Sequence, residues 1–292
     1  PRLVFTSITP FGQSGPYAHL AAADLTVLAL GGLLNQNGDV DRAPLRFAVE
    51  QSFPQAGAQA AAATMIAHHH RALTGRGQHV DVSMQEAICQ ATFLQQHFWD
   101  VDRTIQRREG PSNRRGPVAV RIVFPCRDGF VSWRIFVSSM GPVTRALVDW
   151  MAEEGMAGPL AAVDWEARDM NSLRQDEVDA WEELFAKFFR RHTKARLYEE
   201  SQRRGLMLFP MNDALDLLRD PHLAARRFWT DVDPRELGTT IRYPGLPYRT
   251  TASVPSARRR APLLGEHNGE LYCGELGLSG ADLVRLKQAG VI

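Results

Sequence analysis

Residues 74–88, TGRGQHVDVSMQEAI, set the frame from which the rest of the chain can be read. Gly75 and Gly77 suit the end of a helix and the turn after it, because glycine reaches the left-handed conformation that closes a helix. HVDVSM then alternates apolar and polar residues as a short strand does. Gln85 to about Trp99 returns to the spacing of an amphipathic helix. Upstream, Pro54 to Leu73 forms a helix on which Gly57, Ala60, Ala61, Thr64 and Ala67 recur at intervals of three and four. That recurrence predicts a face of small residues open to close packing. A further helix is expected from Ala21 to Leu34, stopping near NQNGD. Before it, LVFTSITPFGQSGPY reads as a buried strand leading into a Gly/Pro-rich loop. Such loops bind ligands in α/β proteins, and α/β is the fold class expected here.

Downstream, RTIQRREGPSNRRGPVA is polar, Arg-rich and broken by Gly and Pro, and reads as an exposed linker. VRIVFPCRDGFVSWRIF predicts two strands joined through Asp128-Gly129. Helices follow at about 141–155, 175–191 and 194–204, the second acidic at its start and basic at its end, as the helix dipole favours. Near the C-terminus one helix stops at Asp220-Pro221, a short one follows, and Ser279 in SGADL is an N-cap candidate.

Composition excludes several classes of function. With 34 basic and 33 acidic residues in 292, the net charge of +1 supplies no field to attract nucleic acid or an anionic membrane. The basic pairs Arg107-Arg108, Arg114-Arg115 and Arg226-Arg227 and the run Arg258-Arg259-Arg260 read as solvated surface ahead of phosphate sites. Three widely separated cysteines give neither a disulfide framework nor a paired metal motif, which suits the cytoplasm. No signal peptide or membrane-spanning apolar run is visible. His68, His69 and His70 point in different directions on a helix and do not converge on a metal. Ser83, His79 and Asp81 are close in sequence, which does not make a triad. The six tryptophans read as core or interface. The chain opens at Pro1 on a strand, so a preceding N-terminal part is expected.

Several phrases in order, TPFGQSGPYAHLAAADLTVLALGGLLNQNG, LTGRGQHVDVSMQEAI, CRDGFVSW, LRDPHLAARRFW and YPGLPYRTTASVPSARRRAPLLGEHNGEL, together resemble the family III CoA-transferases. The family includes formyl-CoA and carnitine CoA-transferases and methylacyl-CoA racemases. The resemblance implies a Rossmann-like large domain built from both chain ends, with a smaller α+β domain inserted and two chains interlocked as a dimer. Residues 1–100 and 215–292 then belong to the large domain, 101–120 is the linker and 121–214 is the small domain.

The resemblance also implies no permanently bound cofactor. Coenzyme A enters as a thioester substrate, with a carboxylic acid as the second partner. Thr9, Pro10, Phe11 and Gly12 match the stretch along the CoA moiety, with Thr9 standing where a transferase carries Lys. Tyr17 matches a pocket position, and packing of the loop is an equal reading of it. The family's nucleophilic aspartate falls on Phe53, and the racemase histidine falls on Ala23. Glu50 is the nearest carboxylate, and no Asp lies between Asp41 and Asp81. Three functions follow as expectations: a CoA-transferase subunit whose aspartate comes from a paralogous partner, in a homodimer or heterodimer; a non-catalytic CoA-thioester-binding protein; or an acyl-CoA isomerase or racemase-like enzyme using Glu50 or another base.

Overall fold

The computed structural model describes residues 1–233, 238–252 and 260–292. It divides into two compact units, Pro1–Met211 and Asn212–Ile292. Arg258, Arg259 and the centre of the YPGLPYRTTASVPSARRRAPLLGEH phrase lie outside the described residues.

The first unit opens with β1 (Val4–Thr9), α1 (Asp24–Leu30), α2 (Ser52–Thr74), β2 (Gln78–Ser83), α3 (Met84–Ala91) and α4 (Phe93–Asp102). β1 and β2 pair in parallel, Val4 opposite Gln78 and Thr9 opposite Ser83. The TGRGQ segment makes this pairing possible. Gly75 caps α2 in the left-handed conformation, at φ 74°. Gly77 then donates to the Pro1 carbonyl at 2.8 Å. A Cβ at Gly77 would lie 1.9 Å from the Leu3 carbonyl oxygen, so only glycine allows the strands to meet there.

Along α2 the buried residues are Ser52, Ala56, Ala60 and Ala67, a stripe at helical spacing. The Thr64 hydroxyl donates to the Ala60 carbonyl at 2.6 Å and accepts from the Thr6 hydroxyl, also 2.6 Å away. Ala61, expected on this face, is exposed. Val27, Leu28, Ala56, Ala60, Val82, Met84, Ala87 and Ile88 form the apolar core of this half.

Two helix expectations are corrected. The first helix is shorter than 21–34, running only from Asp24 to Leu30 before a 3-10 turn at Leu34–Gln36. The expected single helix from Gln85 to Trp99 is broken at Thr92, whose backbone leaves helical geometry at φ −110° and ψ 15°. The Thr92 hydroxyl hydrogen-bonds to carbonyls of Cys89 and Gly31 at 3.2 and 3.3 Å, so it competes with the helix ladder.

The linker expectation for 101–120 also changes. β3 (Ser112–Arg115) and β4 (Val118–Arg121) form an antiparallel hairpin. Val118 and Val120 are each 1 % exposed and belong to the next core.

That core is aromatic. β5 (Val123–Cys126) and β6 (Gly129–Ser132) form the expected hairpin, with Gly129 starting the second strand rather than closing the turn. Helices α5 (Gly141–Glu153), α6 (Gln175–Phe189) and α7 (Lys194–Arg204) follow, and the short β7 (Phe209–Pro210) pairs with β6. Trp133, Trp150 and Trp165 are buried among phenylalanines, with the Trp133 and Phe185 rings 4.5 Å apart. Burying each such ring stabilises the unit by roughly 2–3 kcal/mol. Trp99 on α4 is half exposed and lies outside this core.

Within this unit Glu182 of α6 accepts from the Arg121 main-chain N–H at 2.7 Å. Burial pushes its carboxyl from the ordinary 4.5 up to about 7, against the lowering influence of Arg121. Between those values the native state keeps a proton that the unfolded chain has lost, so stability falls as pH rises through this window. Glu182→Gln is therefore expected to stabilise the unit by roughly 2 kcal/mol above pH 7, with the gain fading toward pH 4.5. Urea denaturation at a series of pH values reads this directly, and a pH-independent difference between the two proteins would refute it.

The second unit holds α8 (Ala214–Arg219), α9 (Pro221–Ala225), the antiparallel pair β8 (Trp229–Val232) and β9 (Ile241–Pro244), a π-helical turn at Gly269–Glu275 and α10 (Gly280–Gln288). Asp213 and Ser279 each complete a capping box, with Asp216 and Asp282 respectively. Asp220 caps α9, whose first residue is Pro221. Among the described residues no helix is long and apolar enough to cross a membrane.

Candidate functional site

Two groups of side chains carry the residues singled out by sequence. The first is the loop at the carboxyl end of β1. Gly12 turns the chain at φ 82°, and the Gln13 N–H donates to Asp81 of β2 at 2.7 Å. The Asp81 carboxylate also accepts from the Ser7 hydroxyl at 3.3 Å, and Ser7 hydrogen-bonds His79 Nε2 at 2.8 Å. Thus Ser7, His79 and Asp81 come together, whereas Ser83 instead caps α3 by accepting from the Glu86 N–H. The Gln85 N–H holds the other side of the loop through the Pro10 carbonyl, 3.0 Å away. Phe11 and Tyr17 meet edge to face with centroids 5.6 Å apart, so Tyr17 does pack the loop while remaining partly open to solvent. The Thr9 hydroxyl is buried and has no hydrogen-bond partner among the described residues.

The second group surrounds the N-terminus of α2. Asp24, at the start of α1, is 6 % exposed, and one of its carboxylate oxygens accepts from the Gln51 N–H, the Ser52 N–H and the Ser52 hydroxyl at 3.0, 2.8 and 2.7 Å. Burial would raise its pKa. The bonds from Ser52 and Gln51, with the charge of Arg46, outweigh burial and hold it below the ordinary carboxylate value. Sequence reasoning missed this role. The cap comes from a residue 27 positions upstream of Gln51, and no local pattern announces such a bond.

Phe53 occupies the first turn of α2 and is 50 % exposed. Glu50 precedes the helix on an exposed loop, and its side chain has no hydrogen-bond or ion-pair partner among the described residues. A helix N-terminus favours an anion. Here the anion present is Asp24, and it is committed to capping. An aromatic ring at residue 53 has no lone pair with which to attack a thioester.

Two clefts lie near α4. One, of about 520 Å³, is lined by residues including Asn35, Gln96 and Trp99. The other, of about 770 Å³, lies against the Arg-rich stretch 107–116. None of Thr9, Pro10, Phe11, Gly12, Tyr17, Glu50 or Phe53 lines either one.

The family model for CoA-transferase family III matches residues 1–268. The whole chain aligns at 33 % identity with 70 % of the succinyl-CoA:(R)-benzylsuccinate CoA-transferase subunit BbsE of Thauera aromatica. It aligns at 27 % identity with 70 % of the succinyl-CoA–D-citramalate CoA-transferase of Chloroflexus aurantiacus. The fold is similar to the crystal structure of a CAIB/BAIF family protein from Brucella suis, at a TM-score of 0.78 and 23 % identity over 94 % of this chain and 68 % of that one. With a mixed α/β fold of the same kind and a family match over nearly its whole length, this chain belongs to CoA-transferase family III.

Proposed function

We propose that this protein is a CoA-transferase subunit that works with a paralogous partner carrying the nucleophilic aspartate. The observation that carries the reading is Phe53, half exposed in the first turn of α2 at the position matched to that aspartate. In the reaction the partner's carboxylate attacks the acyl-CoA thioester, the C–S bond breaks, and CoA thiolate leaves behind a mixed anhydride. The thiolate then attacks the aspartyl carbonyl, which releases the first acid and stores CoA as an aspartyl thioester. An incoming carboxylate repeats the two steps in reverse and departs as the new acyl-CoA. Thr9 to Gly12 and Tyr17 lie along the CoA moiety in this reading. Asp81 holds that loop in place through Gln13.

The similar proteins named for benzylsuccinate and citramalate act on dicarboxylic acids with succinyl-CoA, and one is named as a subunit. The same class of substrate is proposed here, with a Rossmann-like large domain, an inserted smaller domain between the linker and about residue 214, an interlocked dimer and a cytoplasmic setting. The test is to incubate the full-length protein with succinyl-CoA, alone and with the paralogue, trap any acyl-enzyme with hydroxylamine, and locate it by mass spectrometry. An adduct only on the partner's aspartate supports the proposal. An adduct on Glu50 overturns it in favour of a self-sufficient enzyme, and no exchange with any partner leaves a binding protein.

A further inference from the structure

The cleft of about 770 Å³ has four arginines in its wall, Arg107, Arg108, Arg114 and Arg115, against two carboxylates, Asp102 and Glu109. The four are not equivalent. The Arg108 guanidinium donates to the main-chain carbonyls of Asp39 and Arg42, which ties the wall to the loop after α1. Arg114 pairs with Glu109 at 2.8 Å. The guanidinium groups of Arg107 and Arg115 have neither a carboxylate nor a hydrogen-bond partner among the described residues.

A fifth arginine sharpens the point. Arg134 is half-buried over the Phe136 ring, 4.8 Å from its centroid, and has no ion-pair partner among the described residues. Burial, and then the like charge of Arg115, lower its pKa. The Phe136 ring face offsets part of that cost, and an anion bound beside the two cations would offset more. The apolar side chains Phe98 and Ile105 line the same cleft, which suits a ligand with a carbon skeleton.

We propose that this cleft binds an organic anion, with its carboxylate or phosphate group between Arg107 and Arg115 and its carbon skeleton against Phe98 and Ile105. Arg134 adds positive charge next to Arg115. Two sources share this chemistry: the free carboxylate of a dicarboxylic substrate and the phosphates of CoA. The inference does not rest on the partner-dependent reading, because binding is measured without turnover.

The test is calorimetric titration of the full-length protein with succinate and, separately, with adenosine 3′,5′-bisphosphate. The proteins compared are the wild type, the double variant Arg107→Gln/Arg115→Gln and the control Arg76→Gln, whose exposed charge lies elsewhere. The double variant is expected to weaken binding of the true ligand roughly 10- to 100-fold, with the control unchanged. Loss for succinate alone identifies the carboxylate, loss for the bisphosphate alone identifies the CoA phosphates, and loss for both establishes the shared site. Absence of binding of either anion at millimolar concentration, or binding that the double variant leaves intact, would overturn the proposal. So would an equal loss in Arg76→Gln, which would mean that only overall charge matters.

Discussion

Assayed alone, the full-length protein is expected to exchange CoA between succinyl-CoA and a dicarboxylic acid at least about 10⁴-fold more slowly than when mixed with a paralogue bearing Asp where this chain has Phe53. The magnitude follows from losing a covalent nucleophile, which removes a whole reaction path. Glu50 is the only nearby route around this loss that the sequence offers. It lies on an exposed loop three residues before Phe53, and its side chain is one bond longer than that of Asp. Attack requires the carboxylate within about 3–3.5 Å of the thioester carbon, so a displaced backbone carrying a longer, unrestrained side chain is a poor substitute. Exchange rates for the single protein within tenfold of the mixture would refute the expectation. Glu50→Gln then separates the two explanations, since it abolishes activity only if Glu50 is the nucleophile.

Asp24→Ala is expected to destabilise the first unit by about 3–4 kcal/mol, because three hydrogen bonds to one ionised, buried oxygen are lost together. The Ser52 N–H and hydroxyl are buried with it and would be left without a partner. Asp24→Asn keeps an acceptor oxygen and is expected to recover part of the loss. The pH dependence has a definite sign. The native carboxyl titrates below its ordinary value of 3.8, so its contribution is fully present above that pH and disappears as pH falls through the lower native value. Denaturant titrations of the three proteins at pH 7 and at pH 3 would check this, and a loss below 1 kcal/mol at pH 7 would contradict it.

Helices α5, α6 and α7 start and end within two residues of their expected positions, because apolar spacing and capping are local properties. The Ser279 cap was legible for the same reason. The break at Thr92 was not, since the hydroxyl's alternative acceptor is the carbonyl of Gly31, far away in the chain. Nor was the hairpin at 112–121, where only Val118 and Val120 alternate within an Arg-rich stretch. The loop residues 9–12 and 17 were singled out through family phrases, and the structure ties Gln13 of the same loop to Asp81. The role of Asp24 was hidden because it depends on residues brought together from distant parts of the chain, whereas the arginines of the cleft stood in the sequence as adjacent pairs and only the cleft around them was not legible.

The parallel pairing of β1 with β2 has a consequence for the order in which this protein assembles. Joining residue 4 to residue 78 closes a long loop, and α2 must be placed before the strands gain their contacts. The hairpin that pairs Val123 with Ser132 closes a short one and feeds directly into the tryptophan-rich core. Closure entropy grows with loop length, and contacts between distant residues slow folding. Pulse-labelled amide exchange during refolding should therefore register protection at 123–132 before protection at 4–9 and 78–83. During that interval the N-terminus of α2, with Asp24 and Phe53, would still be unformed while the tryptophan-rich core is already protected.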